Sequence, residues 1–353
     1  MTKRNQKLFC GMIVSGAIFG LFLYGCGGGG GDESGSDTPS AYTGETSQVK
    51  ITNQNAVAVA TDSLKNTYGS SKLSSTFSDL PMIGMVSGEA GGMSAGSVAV
   101  LMSKLVFKLA KNQNAGETDA LYLGATASVS DSIDGSCGGK LNFEGQMTKD
   151  GLKRTADFNI NGIDYCEDGM TMNGQMKVDL TGTCHDENCD SMTMGMDLTF
   201  EDLTYSSSDI SAIITGSVAS SVEVSGETME LQMSIDLVMQ DKGAGKSYWF
   251  DAVDVRIADN GFGIETITME GRFYDHDYGY IDMNTPKPFK IDSNENKPPS
   301  EGILIVEGEK GDAGGRTKAR LTCLDQYTYR VEADTNGDGT YDYNSGTRDW
   351  ISP

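Results

Sequence analysis

Three groups of side chains in this sequence could do chemistry by type and spacing. They are alternating carboxylates near the C-terminus, two cysteines around a histidine, and methionines at every second position. In "DTNGDGTYD", Asp334, Asn336 and Asp338 alternate, Gly339 follows and Asp342 closes the stretch. Oxygen donors at that spacing can wrap a hard cation, with the Thr340 carbonyl as a further ligand. Asn-Gly and Asp-Gly also form hairpin turns without any metal. Two readings follow, weak calcium binding of the extracellular kind or a plain turn. In "CHDENC", Cys184, His185, Asp186 and Cys189 could hold a transition metal, but no second ligand pair stands at zinc-finger spacing. A disulfide between Cys184 and Cys189, stapling a hairpin, is the expectation. Methionine thioethers select Cu(I). At period two, however, they fall on what should be a buried face, where Met packs softly. Met172, Met176, Met194, Met196 and Met233 would also suit the lining of an apolar ligand site.

Catalytic constellations are poor. His185 and His276 are the only two histidines. No nucleophile elbow, zinc-protease helix motif or phosphate-binding glycine loop appears. The expectation is a protein that is not an enzyme. The Asp-rich stretch resembles the D-x-N-x-D-G calcium loop, with one departure. Ser345 stands where an EF-hand has its twelfth-position glutamate, and the flanks read as strands, so it is not an EF-hand.

The N-terminus gives an address. Lys3, Arg4 and Lys7 precede an uncharged run from Leu8 to Tyr24, the pattern of a secretory signal peptide. Its length alone also fits an uncleaved membrane anchor. The exit Leu23-Tyr24-Gly25-Cys26 resembles the lipobox of bacterial lipoproteins. That resemblance implies a diacylglyceryl group on the Cys26 thiol, cleavage before Cys26 and acylation of the new amino group. Several acyl chains make a stable anchor. Gly27 rather than Asp at the second mature position points to the outer membrane of the bacterial envelope. Gly27 to Gly31 and the polar residues after them cannot bury apolar surface, so 26–48 reads as a flexible tether. Such a tether of about 20 residues reaches roughly 25 Å.

The precursor carries a net charge of −23. Residues 1–25 hold three cations and no carboxylate, so the mature chain stands at −26. Nucleic acid is excluded as a partner, because its recognition rests on neutralising phosphates. A polybasic grip on anionic lipid is excluded too. Of seven cysteines, Cys10 lies in the signal segment and Cys26 is the lipid site. Export places the rest in an oxidising compartment. Cys137 and Cys166, at the outer ends of a strand pair, are the expected second bridge, which leaves Cys323 odd. Spacing alone does not fix the connectivity.

The elements that must position these residues divide by period. A helix is expected from Asn53 to Tyr68, capped by Thr52 or Asn53 and stopped by Gly69. A second is expected in "SVAVLMSKLVFKLAKNQNAG", with Val98, Leu101, Met102, Leu105 and Leu109 in one stripe. It reads as a cover for a sheet, with membrane docking as the alternative. From Cys137 the period becomes two, the mark of antiparallel strands with one buried face. A weak repeat runs from Phe158 to Gly174, Phe200 to Gly216 and Phe250 to Gly271, each ending in a glycine suited to a bend.

The predicted fold is therefore mainly β (α+β): a curved antiparallel sheet or half-barrel meander, with two N-terminal helices packed on it. The expected organisation is a signal peptide over 1–25, the tether over 26–48, helices and curved sheet over 49–290, and C-terminal strands with the Asp-rich turn over 291–353. The final strands either extend the sheet or form an appended unit. This architecture resembles the half-barrel of lipid-binding lipoproteins, and the layout resembles β-rich lipoproteins of proteobacteria. The expected role is structural or surface interaction, with an envelope protein as partner. The alternative is binding or transfer of an apolar ligand such as a lipid.

Overall fold

The computed structural model describes residues 38–68, 125–167, 169–185, 191–206, 211–226, 228–261, 263–292 and 298–350. Among the described residues, one helix, α1 (Ala56–Tyr68), precedes fourteen strands. These are β1 (Ala125–Asp134), β2 (Gly138–Asp150), β3 (Lys153–Glu167), β4 (Met170–Cys184), β5 (Ser191–Ser206), β6 (Ser211–Ser225) and β7 (Thr228–Asp241). Then follow β8 (Lys246–Asp259), β9 (Ile264–Asp275), β10 (Gly279–Asp292), β11 (Glu301–Lys310), β12 (Arg316–Cys323), β13 (Thr328–Asp334) and β14 (Tyr343–Asp349). They form a single 14-stranded sheet in strict sequence order, every neighbour antiparallel, with β1 and β14 as its two ends.

Period two explains the sheet. On β7, Leu231, Met233, Ile235, Leu237 and Met239 are buried while Gln232, Ser234 and Asp236 between them are exposed. The same alternation on the other strands places one apolar face in a single contiguous cluster from Ile133 to Ala333. Each such Leu, Ile or Met contributes about 1.5–3 kcal/mol on full burial.

The glycine repeat marks a line of bends. Gly174, Gly216 and Gly271 have φ of +116°, +120° and +133°. The bulge residues Asp164, Asp202 and Ala252 on β3, β5 and β8 have φ of +47°, +50° and +50°. A methyl at Gly216 would sit 2.2 Å from the Asp236 carbonyl, and one at Gly271 2.5 Å from the Ala252 carbonyl. The pairing register shifts along this same line, at Gly162/Tyr165, Phe200/Leu203 and Asp251/Asp254. An extra residue in one strand bends it and raises its twist. The long strands β3 to β9 are thus all creased at one level.

One element boundary needs adjustment. The helix begins at Ala56 rather than Asn53. Asn55 Oδ1 accepts from the Thr52 amide at 2.8 Å, which holds residues 52–55 in a turn before the helix. The second helix, with Val98 to Leu109, lies outside the described residues. The strands after residue 291 extend the sheet, since β10 pairs directly with β11. Pro286 and Pro288 fall at the register shifts of β10, where a strand can spare a backbone donor.

The stretch read as tether up to residue 48 is packed well before it ends. Tyr42 is 6% exposed and lies on Tyr274 and Trp249, with ring centroids 5.6 and 6.1 Å away. Its hydroxyl donates to the carbonyls of Glu45 and Asp275. The chain then crosses the rim between the start of β10 and the end of β11. Val49 N donates to the Tyr280 carbonyl and Glu309 N to the Val49 carbonyl. This brings Ile51 and α1 to the apolar face, where α1 packs on β11, β12 and β13. Gly279 permits the crossing, because a side chain there would meet the Ser47 carbonyl at 2.1 Å.

Candidate functional site

The second face of the sheet carries the residues that alternate with the core. From β4 to β10 it forms an open groove of about 1180 Å³. Register sets its lining in two rows. One runs Thr181, Gly195, Ser221, Gln232, Arg256 and Thr268 across β4 to β9. The next runs Asp197, Ala219, Ser234, Asp254 and Glu270 across β5 to β9, and Asp179, outside the groove, continues its register onto β4. Gly195 and Ser221 in the first row and Ala219 and Ser234 in the second are small, so the surface over β5 to β7 is low. Among the described residues, no Phe, Tyr or Trp lines the groove.

The charges in these rows are unevenly matched. Lys177 reaches Asp157 at 3.2 Å and Asp179 at 3.0 Å. Burial holds the Asp179 carboxyl above its usual range, against the pull of Lys177 and with a hydrogen bond to Asp157 adding to the rise. Arg256 is tied to Glu230 at 2.9 Å. Hydrogen bonds from Gln232 and then Arg256 hold Glu230 below its usual range. Asp197, Asp254 and Glu270 are exposed and have no ion-pair partner among the described residues. Asp254 lies directly opposite Glu270, and Asp197 opposite Asp179. Like charges in that relation repel.

No family model, no curated protein and no solved structure matches this chain. The site is therefore judged on its own geometry.

The Asp-rich stretch is a turn closed by its own amides. Asp334 is 2% exposed. Its Oδ1 accepts from Gly337 N at 2.8 Å and Asp338 N at 3.2 Å, and its Oδ2 from Gly339 N at 2.8 Å. Asp338 accepts from Thr340 N, and Asn336 Oδ1 from Asp338 N. Asp342 accepts from the amide and hydroxyl of Thr335, which hold its carboxyl below the usual range. Ser345 accepts from Val331 N and mends the ladder at its register shift. The turn docks on the β11–β12 turn, with Ala313 N donating to the Asn336 carbonyl at 2.8 Å. Gly337 is required there, since a side chain would meet the Gly315 carbonyl at 2.2 Å. Among the described residues, no three His, Cys, Asp or Glu side chains gather as a metal site would need.

The cysteines and methionines fall as follows. Cys137 and Cys166 form the expected disulfide, with Cα atoms 5.1 Å apart, joining the start of β2 to the end of β3. Cys184 is disulfide-bonded, and its expected partner Cys189 lies outside the described residues. His185 shares a hydrogen bond of 2.8 Å with Thr193. Cys323 is a free, buried thiol, and burial pushes its pKa up to about 12. Met172, Met176 and Met233 are core residues at 3–4% exposure. Met194 and Met196 are half-buried and pack against the same cluster. Cys26 lies outside the described residues. His276 faces Ser247 at 3.3 Å, but Ser247 is 1% exposed and also bonded to Thr43, so this pair is out of reach of a substrate.

Of the groove's lining, the sequence singled out Met194, Met196 and Met233, but its polar residues were read only as the partners of an apolar pattern. The available signal was their size and sign, small or acidic at Asp197, Ala219, Ser234 and Asp254.

Proposed function

We propose that this chain is a non-catalytic envelope lipoprotein, lipidated at Cys26, whose work is surface interaction through the polar face of its sheet. One observation carries the reading. Among the described residues, an open groove runs along this face from β4 to β10, beyond the part that Tyr42 covers at Trp249 and Tyr274, while the opposite face is committed to the core. Unmatched carboxylates and small residues on a rigid sheet suit a partner. The packing of Tyr42 on the sheet fixes where the folded body begins, and the tether before it would keep that body within reach of the membrane. The apolar-ligand alternative stands second: Met194, Met196 and Met233 are among the residues that line the groove, while Met172 and Met176 pack in the core. A calcium role is likewise not part of the proposal, since the Asp334 carboxylate already accepts three backbone amides.

Two experiments test the reading. Cys26→Ala should release the protein from membranes or leave the unprocessed precursor. Retention with a cleaved, unlipidated N-terminus would contradict the lipoprotein assignment. A photo-crosslinking residue at Ala219 should give discrete adducts in intact cells, and one at Ser130 on β1 should not. Equal yields at both positions would remove the groove from the account.

A further inference from the structure

We infer that the groove takes an extended polypeptide segment bearing two basic side chains four residues apart. This rests on the interaction reading above and names the chemistry of the partner. The first argument is length. From β4 to β10 there are six inter-strand steps of about 4.8 Å, roughly 29 Å, the span of about nine residues in extended form. The second is charge. The groove's exposed carboxylates fall into two places, Asp197 at one side and Asp254 with Glu270 at the other. Between Asp197 and Asp254 lie Ala219 and Ser234, so the two places are three strand steps apart, about 14 Å. Residues i and i+4 of an extended chain are about 13 Å apart and point to the same side. Ala219 and Ser234 leave room for the intervening backbone to come close, and Ser221 and Gln232 beside them offer side-chain hydrogen bonds.

The surroundings favour this occupant over others. A compact cation would need converging carboxylates, and the three here are strung along a row. A ring-stacking ligand finds no aromatic face. An anionic polymer is repelled by the row. The one groove cation, Arg256, is held by Glu230.

The test uses the purified full-length protein in uncharged detergent, with nine-residue Ser/Thr peptides as probes. One peptide carries Lys at positions three and seven, one at positions three and four, and one carries Glu in place of Lys at three and seven. The amide resonances of Gly195, Ala219 and Ser221 report binding. The three/seven peptide should shift them, and the three/four peptide should bind at least fivefold more weakly. The Glu peptide should leave them unmoved. Binding should weaken with salt and be lost in the Asp197→Asn, Asp254→Asn double variant, whose exposed changes do not lower the melting temperature. Equal binding of both Lys peptides, binding retained in the double variant, or no shift with any peptide would each overturn the inference. If crosslinks form at Ala219 in cells while the peptides fail, the groove is a docking face and only this chemistry is wrong. If crosslinks also fail, the interaction reading itself falls.

Discussion

On β10 to β13 the carboxylates Asp282, Glu301, Glu307 and Glu332 each hold a cation at 2.6–2.8 Å. On β5, β8 and β9 of the same face, Asp197, Asp254 and Glu270 hold none among the described residues. Both regions are built from the same alternation, and both back onto the same apolar cluster. They differ in what the polar positions do. In the C-terminal region cations and carboxylates are placed opposite one another in register, as Arg320 is to Glu332. Asp282 bridges two arginines, Arg272 and Arg316, and Glu332 bridges Arg320 and Arg330. In the groove region acids face acids. The contrast teaches that one sheet can separate a self-satisfied surface from one with unmet charge, without any change of fold.

The comparison can be broken most easily at Asp334. It accepts three backbone amides while nearly fully buried. Asp334→Ala should cost about 3 kcal/mol, because hydrogen bonds to a charged group are strong and the amides are left unpaired. Denaturant unfolding would read this, and a loss under 1 kcal/mol would show the turn to be dispensable. A smaller effect is expected at Glu332, whose side chain is 15% exposed and serves two arginines. Glu332→Gln should destabilise by about 1–2 kcal/mol. In the groove the sign should reverse. Asp197→Asn with Asp254→Asn should stabilise by about 0.2–0.5 kcal/mol, because opposed like charges are relieved. The gain should fade in high salt, and a clear loss of stability would mean that these carboxylates serve the fold.

Acidification should move the two regions in opposite directions. Asp179 has its folded pKa raised by burial. Its contribution to stability is present below its unfolded value and is lost as pH rises through the folded one. Asp342 has its folded pKa lowered by Thr335. Its contribution is present above the unfolded value and is lost as pH falls through the folded one. Carboxyl NMR titration should therefore find Asp179 above and Asp342 below an unfolded carboxylate, and the same order for both would erase this distinction. The smallest effect concerns calcium. Gly337 and Gly339 donate to Asp334, so millimolar calcium should leave their hydrogen exchange unchanged. Slowing at those two amides would restore the ion to this turn.

Much of the fold was legible, for physical reasons. Leu231 to Met239 alternate too strictly for any element but a strand, and Gly174, Gly216 and Gly271 are needed where backbone approaches backbone. Cys137 and Cys166 could be paired because both close the same hairpin. The strap was not legible. Ala41 to Val49 is polar and short, and Tyr42 gains its place only when β8 and β9 bring Trp249 and Tyr274 side by side. The groove was hidden for a similar reason. Asp197, Ala219, Ser234 and Asp254 are far apart in sequence and become one row only through the register of four strands. The Asp-rich stretch gave the right residues and two readings, because a cation and a set of backbone amides ask for the same oxygens.

The most direct measurement is carboxyl footprinting of the protein in intact cells and after purification. Asp312, with a side chain 87% exposed and outside the groove, serves as the reference. A partner in the groove should protect Asp197, Asp254 and Glu270 in cells relative to the purified protein, while Asp312 labels alike in both. Equal labelling of all four carboxylates in the two samples would contradict the account.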